Sequence, residues 1–169
     1  MYARPFINSL EFARNGSRIS GEVQLLELPR LLDILKHPRG SLSYTVQGGV
    51  DNLGTHFLDI GVVGHCQLIC QRCLDGLNYP LRLDTRLLLR DQAVLDALDD
   101  NVASGDEEEF DSILADVRLN VLDMLEEEIL LSLPIAPKHE LGVCQVAEGK
   151  QAHMAERNPF AVLGSLKRN

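Results

Sequence analysis

Two long runs of alternating apolar and polar residues, separated by a short stretch with two cysteines, constrain this chain more than any other feature. Along residues 56–70 the even positions Leu58, Ile60, Val62, Cys66 and Leu68 form one apolar face. Along 81–90, Leu81, Leu83, Leu87 and Leu89 do the same, while Arg82, Asp84, Arg86 and Arg90 point the other way. A period of two belongs to a half-buried strand, because successive side chains leave a strand on opposite sides. Residues 70–80 then connect two strands at the tip of a long hairpin. Gly61 and Gly64 interrupt the first run and predict a bulge there. Cys66 shares its face with Leu68 and reads as a small buried hydrophobe.

The rest of the chain supplies shorter strands and one main helix. Ile19–Leu25 and Leu42–Gln47 alternate as half-buried strands do. Between them, Pro29, the Leu31/Leu32/Leu35 stripe and the stop at Pro38 and Gly40 predict a short helix, and Gly48 to Asn52 reads as a turn. A helical patch lies around Ala93–Leu98, residues 99–111 have loop composition, and Phe110 to Leu114 predicts another short strand. Val117, Val121, Leu122, Leu125, Ile129 and Leu133 recur at helical spacing and bracket an amphipathic helix that ends before Pro134. The expected architecture is an α+β domain over residues 1–144, built on an antiparallel sheet. A linker over 145–157 and a flexible or docked segment over 158–169 follow it.

The cysteines of the hairpin tip gain meaning from a second pair downstream. Cys70-Gln71-Arg72-Cys73 is a C-x-x-C turn, and two thiolates three residues apart can grip one ion. Pro134-Ile135-Ala136-Pro137 is stiff and extended, so it can carry His139 and Cys144 back toward the hairpin. Together they make C-x2-C followed by H-x4-C, a possible tetrahedral ligand set for zinc. The N-terminus lacks the pattern of a signal peptide and no run of 18 apolar residues occurs, which leads to the expectation of a cytoplasmic protein without a membrane partner. Thiols stay reduced there, which favours metal or redox readings over structural disulfides. Thiol–disulfide exchange is the enzymatic alternative, but its first cysteine stands at a helix N-terminus, whereas here a strand precedes Cys70 and Gly76 and Pro80 follow. No nucleophile elbow, glycine-rich phosphate loop, H-E-x-x-H or dinucleotide fingerprint is present, and the expectation is no enzyme.

Charge is unevenly distributed. Residues 1–90 carry 10 Lys/Arg against 8 Asp/Glu, residues 91–133 carry 1 against 14, and residues 134–169 carry 5 against 3. A field of this sign over 91–133 repels phosphate backbones and attracts basic proteins. Glu126-Glu127-Glu128 occupy successive helix positions and are expected to fan out into solvent. Any contact with RNA is expected to be local, at Arg72, Arg82, Arg86 and Arg90, unless these pair with the domain's own carboxylates such as Asp84. A basic protein is the better electrostatic partner.

The C-terminus has its own grammar. Asn158 is an N-cap, Pro159 stands at the first helical position, Phe160, Leu163 and Leu166 form an apolar stripe, and Lys167 and Arg168 close it. An isolated helix of this length does not hold together in water, so the segment needs a groove to dock in. The C-x-x-C, the run Glu127-Glu128-Ile129-Leu130-Leu131-Ser132-Leu133-Pro134-Ile135-Ala136-Pro137-Lys138-His139 and the segment from Asn158 to Arg168 resemble, in this order and spacing, the bacterial YceD family of large ribosomal RNA subunit accumulation proteins. Many relatives carry a fuller cysteine set after the Pro-x-x-Pro turn, where this chain offers His139 and Cys144. The resemblance implies a non-enzymatic cytoplasmic protein supporting synthesis, processing or stability of large-subunit (23S) rRNA. A large-subunit ribosomal protein or assembly factor is the expected partner. A zinc-dependent structural adaptor without an rRNA role, and the redox protein, are the alternatives. If residues 158–169 dock on a partner, their deletion spares the fold but fails to restore large-subunit rRNA in a depletion strain. Full rescue by the truncated chain would show the segment to be dispensable.

Overall fold

A computed structural model describes residues 5–101, 110–140 and 142–144 of the chain. The two alternating runs become its longest strands, β5 (His56–Ile69) and β6 (Gly76–Arg90), paired antiparallel in one unbroken register from Phe57 opposite Leu88 to Ile69 opposite Gly76. Before them come β1 (Phe6–Ile7), α1 (Ser9–Arg14), β2 (Arg18–Gln24), β3 (Leu35–His37) and β4 (Ser41–Val50). After them come α2 (Gln92–Asn101), β7 (Asp111–Leu114), β8 (Leu119–Asn120) and α3 (Val121–Ser132). The main sheet runs β2-β4-β5-β6-β7, with β3 pairing the far end of β5, and β1 and β8 form a separate two-stranded ribbon. The architecture is the expected mixed α+β one, rich in antiparallel pairs. The one departure is β7, which lies parallel to the end of β6.

The pleat decides what the sheet buries. Leu58, Ile60, Val62, Cys66 and Leu68 of β5 stand on one face with Leu81, Leu87 and Leu89 of β6, and Leu42 and Val46 of β4 join them, all buried. Helix α3 covers this face with Val121, Leu122, Met124, Leu125 and Ile129. Its start is fixed by Asn120, whose side-chain carbonyl accepts from the Leu122 N–H, leaving one fewer unpaired donor at the helix end. Val117, expected inside the helical stripe, precedes this cap and is 79% exposed.

Several expectations give way to packing. No bulge forms at Gly61 or Gly64, because the registers with β4 and β6 run through both without a shift. Gly64 is instead a place of close approach, since a Cβ there would lie 2.5 Å from the Leu42 side chain. Gly48 likewise belongs to β4 rather than to a turn, and a Cβ on it would come within 2.6 Å of the α1 backbone at Ala13. The turn itself lies at Asp51–Thr55, where the Asp51 carboxylate accepts from the N–H groups of Leu53 and Thr55. The short helix expected after Pro29 is a single 3-10 turn, Leu32–Ile34, because Leu35 is drawn into the sheet opposite Leu68. The hairpin tip is shorter than residues 70–80, with strand pairing resuming at Gly76. Pro80 sits within β6, opposite His65, on a stretch whose other side β7, paired only with 87–90, leaves as an edge, the kind of strand on which proline is tolerated. Residues 102–109, the linker over 145–157 and the segment over 158–169 lie outside the described residues.

Leu125 is fully buried at the centre of the α3 contact. Its truncation in Leu125→Ala should cost about 2–5 kcal/mol, read as a lower urea midpoint. An unchanged midpoint would show that α3 does not cover the core.

Candidate metal centre

Six residues, 70–75, join β5 to β6, and their backbone is closely held. The Cys70 N–H donates to the Asp75 carbonyl at 2.9 Å, and the Leu74 N–H donates back to the Cys70 carbonyl at 2.8 Å. Leu74 takes the left-handed conformation, φ 61°, that lets the chain reverse, and Lys36 Nζ donates to its carbonyl at 2.9 Å. The tip also holds the arm that follows α3. Gln71 N–H donates to the Pro137 carbonyl at 2.8 Å, which brings the chain beyond the two prolines alongside the cysteines.

This tie assembles the four residues that the spacing predicted. The Cys70, Cys73 and Cys144 sulfurs and a ring nitrogen of His139 all lie within 4.8 Å of one another. Cys70 Sγ is 3.8 Å from Cys144 Sγ, His139 Nδ1 is 3.4 Å from Cys73 Sγ, and it is 3.7 Å from Cys144 Sγ. A tetrahedral ion with bonds of about 2.3 Å to sulfur and about 2.0–2.1 Å to nitrogen has edges of about 3.8 Å (S···S) and about 3.6 Å (S···N). Three of the six edges match these lengths and the other three are at most 4.8 Å, so the residues fit a four-coordinate metal ion with shifts of no more than about 1 Å.

The surroundings complete the fit. His139 Nε2 lies 3.1 Å from the Gly76 carbonyl, which can only accept, so the neutral ring carries its proton there and turns the Nδ1 lone pair toward the thiols. Cys70 is buried, and burial alone would push its thiol up. Backbone hydrogen bonds at Cys73, His139 and Arg72 and the Cys73 thiol together outweigh that and bring it down to about 5. Burial and the neighbouring Cys70 and Cys73 sulfurs raise Cys144. Three thiolates around a divalent ion leave one surplus negative charge, and the Arg72 guanidinium lies 3.7 Å from Cys144 Sγ to offset it. Cys66 is apart from this group, buried among the core leucines, its thiol raised by burial.

The proposed arginine surface does not form a free patch. Arg86 is committed to Asp59, opposite it on β5, by two hydrogen bonds of 2.6 and 2.9 Å, and its guanidinium stacks 3.8 Å above the Phe57 ring. Arg72 serves the cysteine cluster, and Arg82 alone stands fully out on the strand. The carboxylate partner foreseen for these arginines was Asp84, but Asp59 takes the role for Arg86, since it is the residue directly across the ladder. Asn158, Pro159, Phe160, Leu163, Leu166 and Lys167 lie outside the described residues.

Sequence reasoning missed Glu126 altogether. It does not fan into solvent but is 2% exposed, accepting from the backbone N–H of Arg30 at 2.6 Å and of Leu31 at 3.1 Å, with Arg30 Nε at 3.2 Å. It fastens the loop before β3 to α3. Its position in the buried helical stripe, one residue after Leu125, was the available signal.

Comparison with known proteins covers the same region. The family model described as large ribosomal RNA subunit accumulation protein YceD matches residues 58–167. A protein of Haemophilus influenzae named large ribosomal RNA subunit accumulation protein YceD is 30% identical over 107 residues, a match spanning 59% of this chain and 59% of that relative. No solved structure matches significantly.

Zinc added to metal-free protein should raise its melting temperature, because an ion that binds only the folded chain at 100 times its Kd adds about 2.7 kcal/mol. Cys73→Ser and His139→Ala should each abolish the rise. A melting temperature indifferent to zinc would mean that the four side chains meet for packing alone.

Proposed function

Since this chain belongs to the YceD family of large ribosomal RNA subunit accumulation proteins, we propose that it supports the synthesis, processing or stability of large-subunit rRNA as a non-enzymatic factor acting through protein partners. The observation that carries this reading is the extent of the family match. Residues 58–167 take in the central hairpin, the four metal-ligating candidates, α3 and the C-terminal segment. An action through proteins accords with the charge of residues 91–133, which disfavours a phosphate backbone and favours a basic chain. The pairing of Arg86 with Asp59 takes away the centre of the one basic stripe that RNA would use.

In this reading the cluster of Cys70, Cys73, His139 and Cys144 holds zinc for structure. A bound zinc ion would cross-link the hairpin tip to the arm after α3, and four protein ligands leave it no open position for a substrate or water. Gln71, Gly76 and Arg72 orient and neutralise the ligand set. Redox exchange led by Cys70 is disfavoured by access, since attack on a partner disulfide needs an exposed thiolate and Cys70 is buried while Cys73 is half-buried.

Depletion of the protein should lower the ratio of large- to small-subunit rRNA, and re-expression of the wild-type chain should restore it. An unchanged ratio on depletion, with zinc binding intact, would favour a zinc-dependent adaptor without an rRNA role.

A further inference from the structure

Glu126 and Glu128 stand two residues apart on α3, both buried, and only one has a donor among the described residues. Glu126 has three donors. Glu128 is 8% exposed, and among the described residues no donor lies within hydrogen-bond distance of it. The small part of it that solvent reaches includes the carboxylate oxygens, so the charge opens onto the surface and is met by water in the free chain. Between residues 91 and 133 the sequence offers one basic residue, Arg118. Arg118 is engaged over the Phe6 ring, 4.8 Å from its centroid.

Glu128 lines a groove of about 410 Å³ between the β7–β8 segment and α3. The apolar part of that groove is Ile113, Leu114, Leu119 and Met124, and it also carries Asp116, Asp123 and Glu127 against the single cation Arg118, so that with Glu128 acids outnumber bases four to one. Leu114 is 45% exposed, an apolar side chain left open beside the acids. Burial, with Asp111 and Glu127 close by, raises the Glu128 carboxyl above its ordinary range. Phosphate would be repelled from such a surface. A lysine or arginine fits it at both ends, because its stem packs on apolar surface while its head seeks a carboxylate.

We propose that this groove is the docking site for an amphipathic basic segment of a partner protein, one of whose Lys or Arg side chains enters to pair with Glu128 while a neighbouring apolar side chain covers Leu114 and Met124. The inference rests on the protein-partner reading above and names where that partner binds and what anchors it. The rim acids steer the approach, and the buried pair sets the residence time.

The test uses the full chain and a fluorescein-labelled 14-residue peptide with Leu and Lys at amphipathic helical spacing, followed by anisotropy. Glu128→Gln keeps the shape and removes the charge, and should weaken binding tenfold or more. Asp84→Asn, an equal change of charge on the opposite face of the sheet, should alter it less than about twofold, and a peptide with Gln for Lys should not bind. The free Glu128→Gln chain should melt no lower than wild type, since it loses a charge that has no partner among the described residues and sits beside Asp111 and Glu127. Equal affinity of wild type and Glu128→Gln overturns the proposal, as does a lower melting temperature, which would reveal a partner within the chain. Tenfold tighter binding by a Lys167→Gln, Arg168→Gln double variant also overturns it, because the chain's own end would then be the occupant. The anisotropy does not depend on the rRNA ratio, so failure here leaves the rRNA reading standing, and failure of that reading leaves the groove to be judged by the peptide.

Discussion

The continuous register between β5 and β6 is the constraint on which the rest of the structure depends. Because side chains alternate, a slip of one residue would turn Leu58, Ile60, Val62 and Leu68 out to solvent and leave the core with Asp59, Val63 and His65. Thirteen paired positions in a row, from Phe57 to Ile69, make such a slip expensive along the whole hairpin at once. The same register fixes the distant features. It places Cys70 at the mouth of the turn, sets Asp59 opposite Arg86, and presents the face that α3 covers.

Hydrogen bonds place α3 and the arm that follows it. Within the helix, Glu126 draws the loop at Arg30 and Leu31 onto α3 through donors that would otherwise be unpaired in a buried place. Beyond the helix, the Gln71 N–H donates to the Pro137 carbonyl and the ring of His139 meets the Gly76 carbonyl. Neither contact is apolar, so the hydrophobic core does not specify where this arm lies. Directional hydrogen bonds do, and the four-ligand cluster is their consequence.

The distribution of charge follows the same division. On the outer face of the sheet, Arg86 is engaged locally by Asp59 and the Phe57 ring. Acids gather around α3 and β7, where Glu128 is buried beside Asp111 and Glu127. The molecule therefore has an end whose side chains can hold a metal ion and an acidic, partly apolar flank. The first suits holding the fold together, the second suits meeting a basic chain.

The sequence by itself determined the elements whose information is periodic or covalently local. The two long strands, the helix from Val121 to Ser132, the α+β class and the ligand quartet Cys70, Cys73, His139 and Cys144 were all readable, since alternation, helical spacing and ligand type survive without knowledge of neighbours. Only the tertiary structure decided the matters that depend on who lies across a gap. Gly48 and Gly64 look like turn or bulge residues until the α1 backbone and Leu42 are seen against them. The stripe Leu31, Leu32 and Leu35 looks helical until Leu35 finds Leu68. Three consecutive glutamates look solvated until one proves hydrogen-bonded to a loop 95 residues away and another proves largely covered, its oxygens opening onto a groove. A side chain's charge is written in the sequence, but its solvation is a property of the surface that closes over it, and that surface exists only once the chain has folded.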